Sequence, residues 1–162
     1  MRVLVIGAYG LIGSAVVNDL LAHGFEVVVL DRDPAALDRA RAQLAGLAAY
    51  VAADRAFAGV DLPAAVARIR ATTDPADAAE DVDLVSESVP EDPELKGRVF
   101  AELDAVCPER TIFATNTSSL LPSMFAAATG RPDRLASLHF HQPVWSANVV
   151  DVMPHPGTSP AT

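Results

Sequence analysis

One lysine, Lys96, and one cysteine, Cys107, are all that 162 residues contain of either type, and each scarcity excludes something. With 12 Lys and Arg against 21 Asp and Glu, and a net charge of −9, there is no basic stripe to follow a phosphate backbone, so nucleic acid is not an expected partner. A lone cysteine closes no intramolecular disulfide, which suits a reducing cytoplasm, and Cys107 reads as a small buried hydrophobe. No apolar run approaches the ~20 residues of a membrane span. Met1 to Ile6 is too short for a secretory signal and runs at once into glycine, so a cytoplasmic protein without a membrane partner is expected. His23, His141 and His155 are not spaced as a ligand set, and no metal is assigned. Internal repeats and low-complexity tracts are also missing.

What is present is apolar: 51% of the residues, over a length typical of one domain, can bury a real core. Val3 to Ile6 reads as a buried parallel strand closed by Gly7. A helix with Ile12, Val16 and Leu20 on one face follows, ending at Gly24, and Phe25 to Leu30 is a second strand ending at Asp31. Asp33-Pro34, Asp74-Pro75 and Asp92-Pro93 each pair an N-cap acceptor with a residue whose missing N–H costs nothing in a first helical turn. After the third pair, Leu95, Val99 and Leu103 form a helical stripe. Val82 to Val85, Thr111 to Thr115 and Leu135 to Phe140 are further strands, with a short helix over Leu120 to Thr129 stopped by Gly130. The Ala-rich stretch from Pro34 to Arg70 is expected to hold two helices. Strand and helix alternate, the pattern of an α/β doubly wound, mostly parallel sheet covered on both faces.

Gly7-Ala8-Tyr9-Gly10-Leu11-Ile12-Gly13 joins the first strand to the first helix, where a dinucleotide pyrophosphate sits in open parallel folds. Glycines there let the backbone turn tightly and approach the phosphates, whose charge meets the N–H groups of the helix start, Leu11 and Ile12 included. Asp31 ends the second strand, 18 residues beyond Gly13, close to the ~20 expected of a carboxylate that accepts from a ribose 2′-hydroxyl. The combination predicts a Rossmann-type domain that binds NAD, since a carboxylate at this point repels the 2′-phosphate of NADP. Arg32 either stacks on adenine, meets that phosphate or is a solvated charge. The glycine spacing, GxxGxxG, also resembles extended short-chain dehydrogenases, but neither Tyr9 nor Tyr50 has the lysine four residues on that their chemistry uses.

From Asp81 onward the chain resembles the N-terminal domain of the L-3-hydroxyacyl-CoA dehydrogenases. The resemblance is carried by Glu87-Ser88-Val89-Pro90-Glu91-Asp92, Leu95-Lys96, Asn116-Thr117-Ser118-Ser119-Leu120, Arg131-Pro132-Asp133-Arg134, His139-Phe140-His141-Gln142-Pro143 and Val150-Asp151-Val152. It implies NAD-dependent oxidation of a 3-hydroxyacyl thioester, with His139 as general base. Histidine suits that role because its unperturbed pKa of about 6.5 lies near working pH; alone, a histidine ending an apolar strand is more often a structural residue. Asp151, twelve residues on, matches a family glutamate that orients and charge-stabilises the imidazole. Ser118 is implied to bond the substrate oxygen and the cofactor ribose, a role compatible with helix capping. Glu91 and Lys96 match positions beside the nicotinamide half of the cofactor. Gln142 replaces the family's asparagine as a cofactor contact, and His141 replaces a phenylalanine.

The acyl carrier is open. The family holds CoA phosphate with a lysine after the second strand; here only Arg39 or Arg41 could substitute, so an acyl carrier protein or a small free hydroxy acid stands beside CoA. Residues 1–162 are expected to be one NAD-binding domain. Ser159-Pro160 predicts a helix start two residues before Thr162, so a helical C-terminal domain, through which family members form homo-oligomers and close the acyl pocket, is expected beyond it. A non-catalytic nucleotide-binding module is the rival reading, which the Ser118, His139 and Asp151 set argues against.

Overall fold

The computed structural model describes residues 1–51, 57–147 and 149–162. Its centre is a seven-stranded sheet in the order β3-β2-β1-β4-β5-β6-β7. The strands are β1 (Arg2–Ile6), β2 (Glu26–Leu30), β3 (Arg70–Thr72), β4 (Leu84–Glu87), β5 (Ile112–Thr115), β6 (Leu135–Phe140) and β7 (Val150–Pro154). All neighbours run parallel except β7, which returns antiparallel to β6.

The near-continuous apolar strands are explained by burial on both faces. Val3, Val5, Val27 and Val29 point to one face, under α1 (Leu11–Ala22) and α2 (Pro34–Val51). Leu4, Ile6, Val28, Leu30, Val85 and Phe113 point to the other, where α4 (Pro75–Ala78) and α5 (Pro93–Asp104) cover them. Register aligns the strand ends: Ile6 lies beside Leu30 on one side and Glu87 on the other, and Glu87 beside Thr115. The segments that begin at Gly7, Asp31, Ser88 and Asn116 therefore leave the sheet along one carboxyl edge. Among the described residues no helix is long and apolar enough to cross a membrane.

All three Asp-Pro pairs open helices. Asp33 Oδ1 accepts from Ala35 N at 2.9 Å, Asp74 Oδ1 from Ala76 N at 2.9 Å and Asp92 Oδ1 from Leu95 N at 2.8 Å. The Ala-rich stretch resolves into α2 and α3 (Leu62–Ala67), the latter capped by Asp61, but it ends in the strand β3. Residues 52–56, within this stretch, lie outside the described residues.

Several expectations are corrected. The fourth strand begins two residues later than Val82, so its last residue is the buried Glu87. On α5 the buried face is Lys96, Phe100 and Leu103, whereas Leu95 and Val99 of the expected stripe are half-buried. Residues 120–129 form no α-helix but two 3₁₀ turns, Pro122–Met124 and Ala126–Thr129. Between them Phe125 leaves helical geometry (φ −131°) and stacks on Phe100 at 6.1 Å, itself 5.2 Å from Phe113. Core packing here outweighs local helix preference. Gly130 ends the second turn at φ +69°, where a Cβ would run into the Asp104 carboxylate. β7, with Val150 and Val152 exposed, was not foreseen as a strand, nor was the short helix α6 (Val144–Ala147).

Phe100 is the residue on which the aromatic stack and the α5 face meet. Phe100→Ala is expected to lower unfolding free energy by about 3–5 kcal/mol, the usual cost of an aromatic core deletion, read as a lower urea midpoint at unchanged slope.

Candidate active site

At the carboxyl edge the glycine loop is built by close approach. Gly7 has φ +82°, and a Cβ on it would strike the Ser88 carbonyl; a Cβ on Gly13 would strike the Gly7 carbonyl. Gly10 N donates to Gly7 O at 3.0 Å, folding the loop onto itself. No side chain caps α1, which leaves the first N–H groups of the helix for a ligand. Gly7, Gly10, Leu11, Ile12 and Gly13 line a cleft of about 450 Å³ that continues past Ser88, Glu91, Asn116, Ser118 and Gln142. The Ser88 hydroxyl at this cleft is buried and has no hydrogen-bond partner among the described residues.

A second cavity of about 250 Å³ opens beside Asp31 and is lined by Leu30, Arg32, Leu95, Val99 and Leu103. The half-buried stripe of α5 is thus the wall of an apolar slot next to a carboxylate. Asp31 Oδ1 accepts from Asp33 N at 2.9 Å, which fixes the side chain while its other oxygen bonds nothing among the described residues. Arg32 is ion-paired with Glu102 at the same slot. A glycine cradle that a Cβ would fill, an uncapped helix start, an apolar slot ending on a carboxylate and an orphaned hydroxyl together fit a dinucleotide.

Between cleft and core lies a buried charge pair that sequence reading missed. Lys96 Nζ donates to Glu87 Oε1 at 2.8 Å and Oε2 at 3.1 Å, and both side chains are wholly inaccessible. Thr115 Oγ1 and Val89 N also donate to Glu87, at 2.7 and 2.6 Å. Burial pushes the Glu87 carboxyl up, opposed by the Lys96 charge and these bonds. Lys96, expected beside the cofactor, therefore reaches the site through its partners: its ammonium also donates to Val89 O at 3.4 Å and lies 3.6 Å from Glu91 Oε2. The available signal was a glutamate in an apolar strand nine residues before the only lysine.

Glu91 in turn holds the loop after β5. Its Oε1 accepts from the Thr117 hydroxyl, from the backbone N–H groups of Ser118 and Ser119 at 3.1 Å each, and from Ser119 Oγ at 3.0 Å. Burial raises the Glu91 pKa, but these bonds and the Lys96 charge outweigh it and leave the carboxyl below its ordinary value. The loop so held presents Ser118 Oγ 2.9 Å from His139 Nε2. Asn116 Oδ1 accepts from Phe140 N at 3.0 Å and ties the same loop to the end of β6.

The β6–β7 register sets His139 directly opposite Asp151. His139 Nδ1 lies 3.5 Å from Asp151 Oδ2, while His141, the first residue past the end of β6, brings Nε2 to 2.8 Å from that oxygen. Asp151 is thus shared, and its closer partner is the histidine that replaces a phenylalanine. Hydrogen bonds from His141 and then His139 hold the Asp151 carboxyl below the usual carboxylate range. One ring nitrogen of each histidine and a carboxylate oxygen of Asp151 lie within 4.8 Å of one another, a grouping that sequence spacing did not reveal.

Two outcomes follow from this geometry. Wild type should bind NADH more tightly than NADPH, and Asp31→Ala should weaken NADH by roughly 10- to 100-fold, the worth of a hydrogen bond to a charged group, and narrow the preference; fluorescence titration of both cofactors checks it. Lys96→Met alone should cost about 3–5 kcal/mol by stranding Glu87 without its counter-charge, and Lys96→Met with Glu87→Gln should recover part of that loss in urea unfolding.

Residues 2–162 match the family model for the NAD binding domain of 3-hydroxyacyl-CoA dehydrogenase. The chain is 33% identical to a 3-hydroxybutyryl-CoA dehydrogenase of Clostridioides difficile over 162 residues, covering 100% of this chain and 57% of that protein. It is 36% identical to the human mitochondrial hydroxyacyl-coenzyme A dehydrogenase over 166 residues, covering 99% of this chain and 52% of the other. A solved diketoreductase structure, described as acting on dicarbonyl compounds, superposes with a TM-score of 0.93 at 40% identity, covering 99% of this chain and 57% of that one. The chain spans about half the length of these curated relatives. On the family match along its whole described length, and on a cleft built as a dinucleotide cleft requires, the chain belongs to the 3-hydroxyacyl-CoA dehydrogenase family as its NAD-binding domain.

Proposed function

We propose that this domain carries the cofactor and the base in the oxidation of a CoA-linked L-3-hydroxyacyl thioester to the 3-ketoacyl thioester. The observation that carries the reading is the Ser118 Oγ to His139 Nε2 contact of 2.9 Å at the cleft, with Asp151 across the hairpin behind the ring. NAD, when bound, accepts the hydride that leaves the substrate carbon. His139 Nε2 takes the hydroxyl proton, for which the neutral ring must carry its hydrogen on Nδ1, toward Asp151. The Asp151 carboxylate favours that tautomer and stabilises the imidazolium as it forms. Ser118 orients the reacting oxygen against Nε2, and Glu91 holds Ser118 through its backbone N–H. Gln142, Glu91 and the Ser88 hydroxyl offer polar contacts along the cofactor path.

For the acyl carrier, Arg39 and Arg41 are the candidate phosphate ligands. Both are in exposed ion pairs, with Asp33 at 3.2 Å and Asp38 at 3.3 Å, which a phosphate can replace at little cost. A small dicarbonyl or hydroxy acid is the second reading, favoured by the likeness to the diketoreductase. A helical partner domain outside residues 1–162, which closes the acyl pocket and makes a homo-oligomer, belongs to the proposal. So does a place in fatty acid metabolism in the cytoplasm. Cys107, buried and with its pKa pushed up to about 11 by burial, stays a thiol in such a compartment.

In the catalytically active form of the protein, assayed by NADH formation from 3-hydroxybutyryl-CoA, His139→Gln should lower turnover at least ~100-fold with NADH affinity unchanged. Asp151→Asn should lose less. A folded His139→Gln variant that retains wild-type turnover removes His139 as the base.

A further inference from the structure

The hairpin that places the base also assembles a ligand set that base chemistry does not need. His141 adds nothing to proton transfer at His139 Nε2, yet it holds the Asp151 oxygen at 2.8 Å. His139, in β6, and His141, the first residue past its end, bring their rings to 5.1 Å because they are two residues apart along extended chain. Asp151 joins them because it sits opposite His139 in the antiparallel ladder. Their ligand atoms lie within 4.8 Å of one another, and zinc bonds of ~2.0–2.1 Å in a tetrahedron separate ligand atoms by about 3.3 Å. Small side-chain rotations close that difference. Asp151 is 50% exposed and His141 44% exposed at the side chain, which leaves an approach for an ion and room for water at its remaining position. Two imidazoles and one carboxylate suit zinc and its borderline-soft neighbours, whereas calcium and magnesium want oxygen ligands.

We propose that His139 Nδ1, His141 Nε2 and Asp151 Oδ2 form a site for a zinc-class divalent ion, and that filling it switches off the base. The switch follows from the tautomer. A metal on Nδ1 displaces the hydrogen to Nε2, where it is donated to Ser118 Oγ at 2.9 Å, the outer-shell bond that ligating histidines make. Proton abstraction needs Nε2 bare. Metal binding and catalysis therefore require opposite tautomers of one ring, and the ion replaces the Asp151 charge beside the imidazole with a cation. The inhibitory half rests on His139 being the base; the binding half does not.

Calorimetric titration of the chain with Zn2+, and Co2+ titration followed by visible absorption, should show one ion per chain. His141→Phe and His141→Gln should each weaken binding at least ~10-fold, the order by which even outer-shell changes alter metal affinity, while His23→Ala and His155→Ala should leave it unchanged. In the catalytically active form, Zn2+ should inhibit wild type and a chelator should restore it, with His141→Phe active but at least ~10-fold less sensitive. Absent one-to-one binding in wild type, or equal binding in both folded His141 variants, overturns the site. Binding that depends on His141 without inhibition overturns the switch, whereas the base itself is judged by His139→Gln.

Discussion

A lysine ammonium fully withdrawn from water must be neutralised where it lies, and Lys96 imposes that demand on everything around it. Glu87 meets most of it from the end of β4, and Glu91 meets the rest from the loop that follows. Because Glu91 points one carboxylate edge at the ammonium, its other oxygen is positioned to collect the N–H groups of Ser118 and Ser119. Ser118 then faces His139, and His139 faces Asp151. A single buried charge on α5 thus orders β4, the loop after β5, and the β6–β7 hairpin in turn. The arrangement works as a whole because Thr115 and Val89 also satisfy Glu87, leaving no bare carboxylate lone pair in the core.

Using the only lysine internally has a consequence for the cofactor. With its single lysine buried against Glu87, the chain has no lysine ammonium to offer a pyrophosphate, so in the proposed reading the phosphates meet the oriented N–H groups at the start of α1. That is why the glycine loop is packed so closely: Gly7 against Ser88 and Gly13 against Gly7 bring backbone, rather than side chain, to the cleft. The slot at Asp31 is similarly economical. Leu95 and Val99 wall it, and the Arg32–Glu102 pair lies at its edge.

The hairpin shows how register becomes chemistry. Side chains alternate faces along a strand, so a slip of one residue between β6 and β7 would send Asp151 to the opposite face from His139. The ladder from Ala136–Pro154 to Phe140–Val150 prevents this, and the bond from Phe140 N to Asn116 anchors the far end of β6. The same register gathers His141 at Asp151, which sequence spacing alone did not suggest.

Local chemistry was legible from the chain itself. Apolar runs marked β1, β2, β5 and β6, Asp-Pro pairs marked three helix starts, and the glycines with Asp31 marked the dinucleotide edge, because each depends on neighbours within a few residues. The ordered motifs of the second half carried the family and named Ser118, His139 and Asp151, and the structure brings the three side chains together. What the chain concealed depended on contacts distant in sequence. Phe125 abandons a helix because Phe100 and Phe113 offer it a stack; Lys96 looks like a surface charge until Glu87 is seen beneath it; Leu95 and Val99 face a cofactor slot that exists only once β2 lies beside α5. Asp151 was assigned to His139 by the family resemblance, but its preference for His141 was decided by the pairing of two strands, since only the folded ladder fixes which side chains share a face.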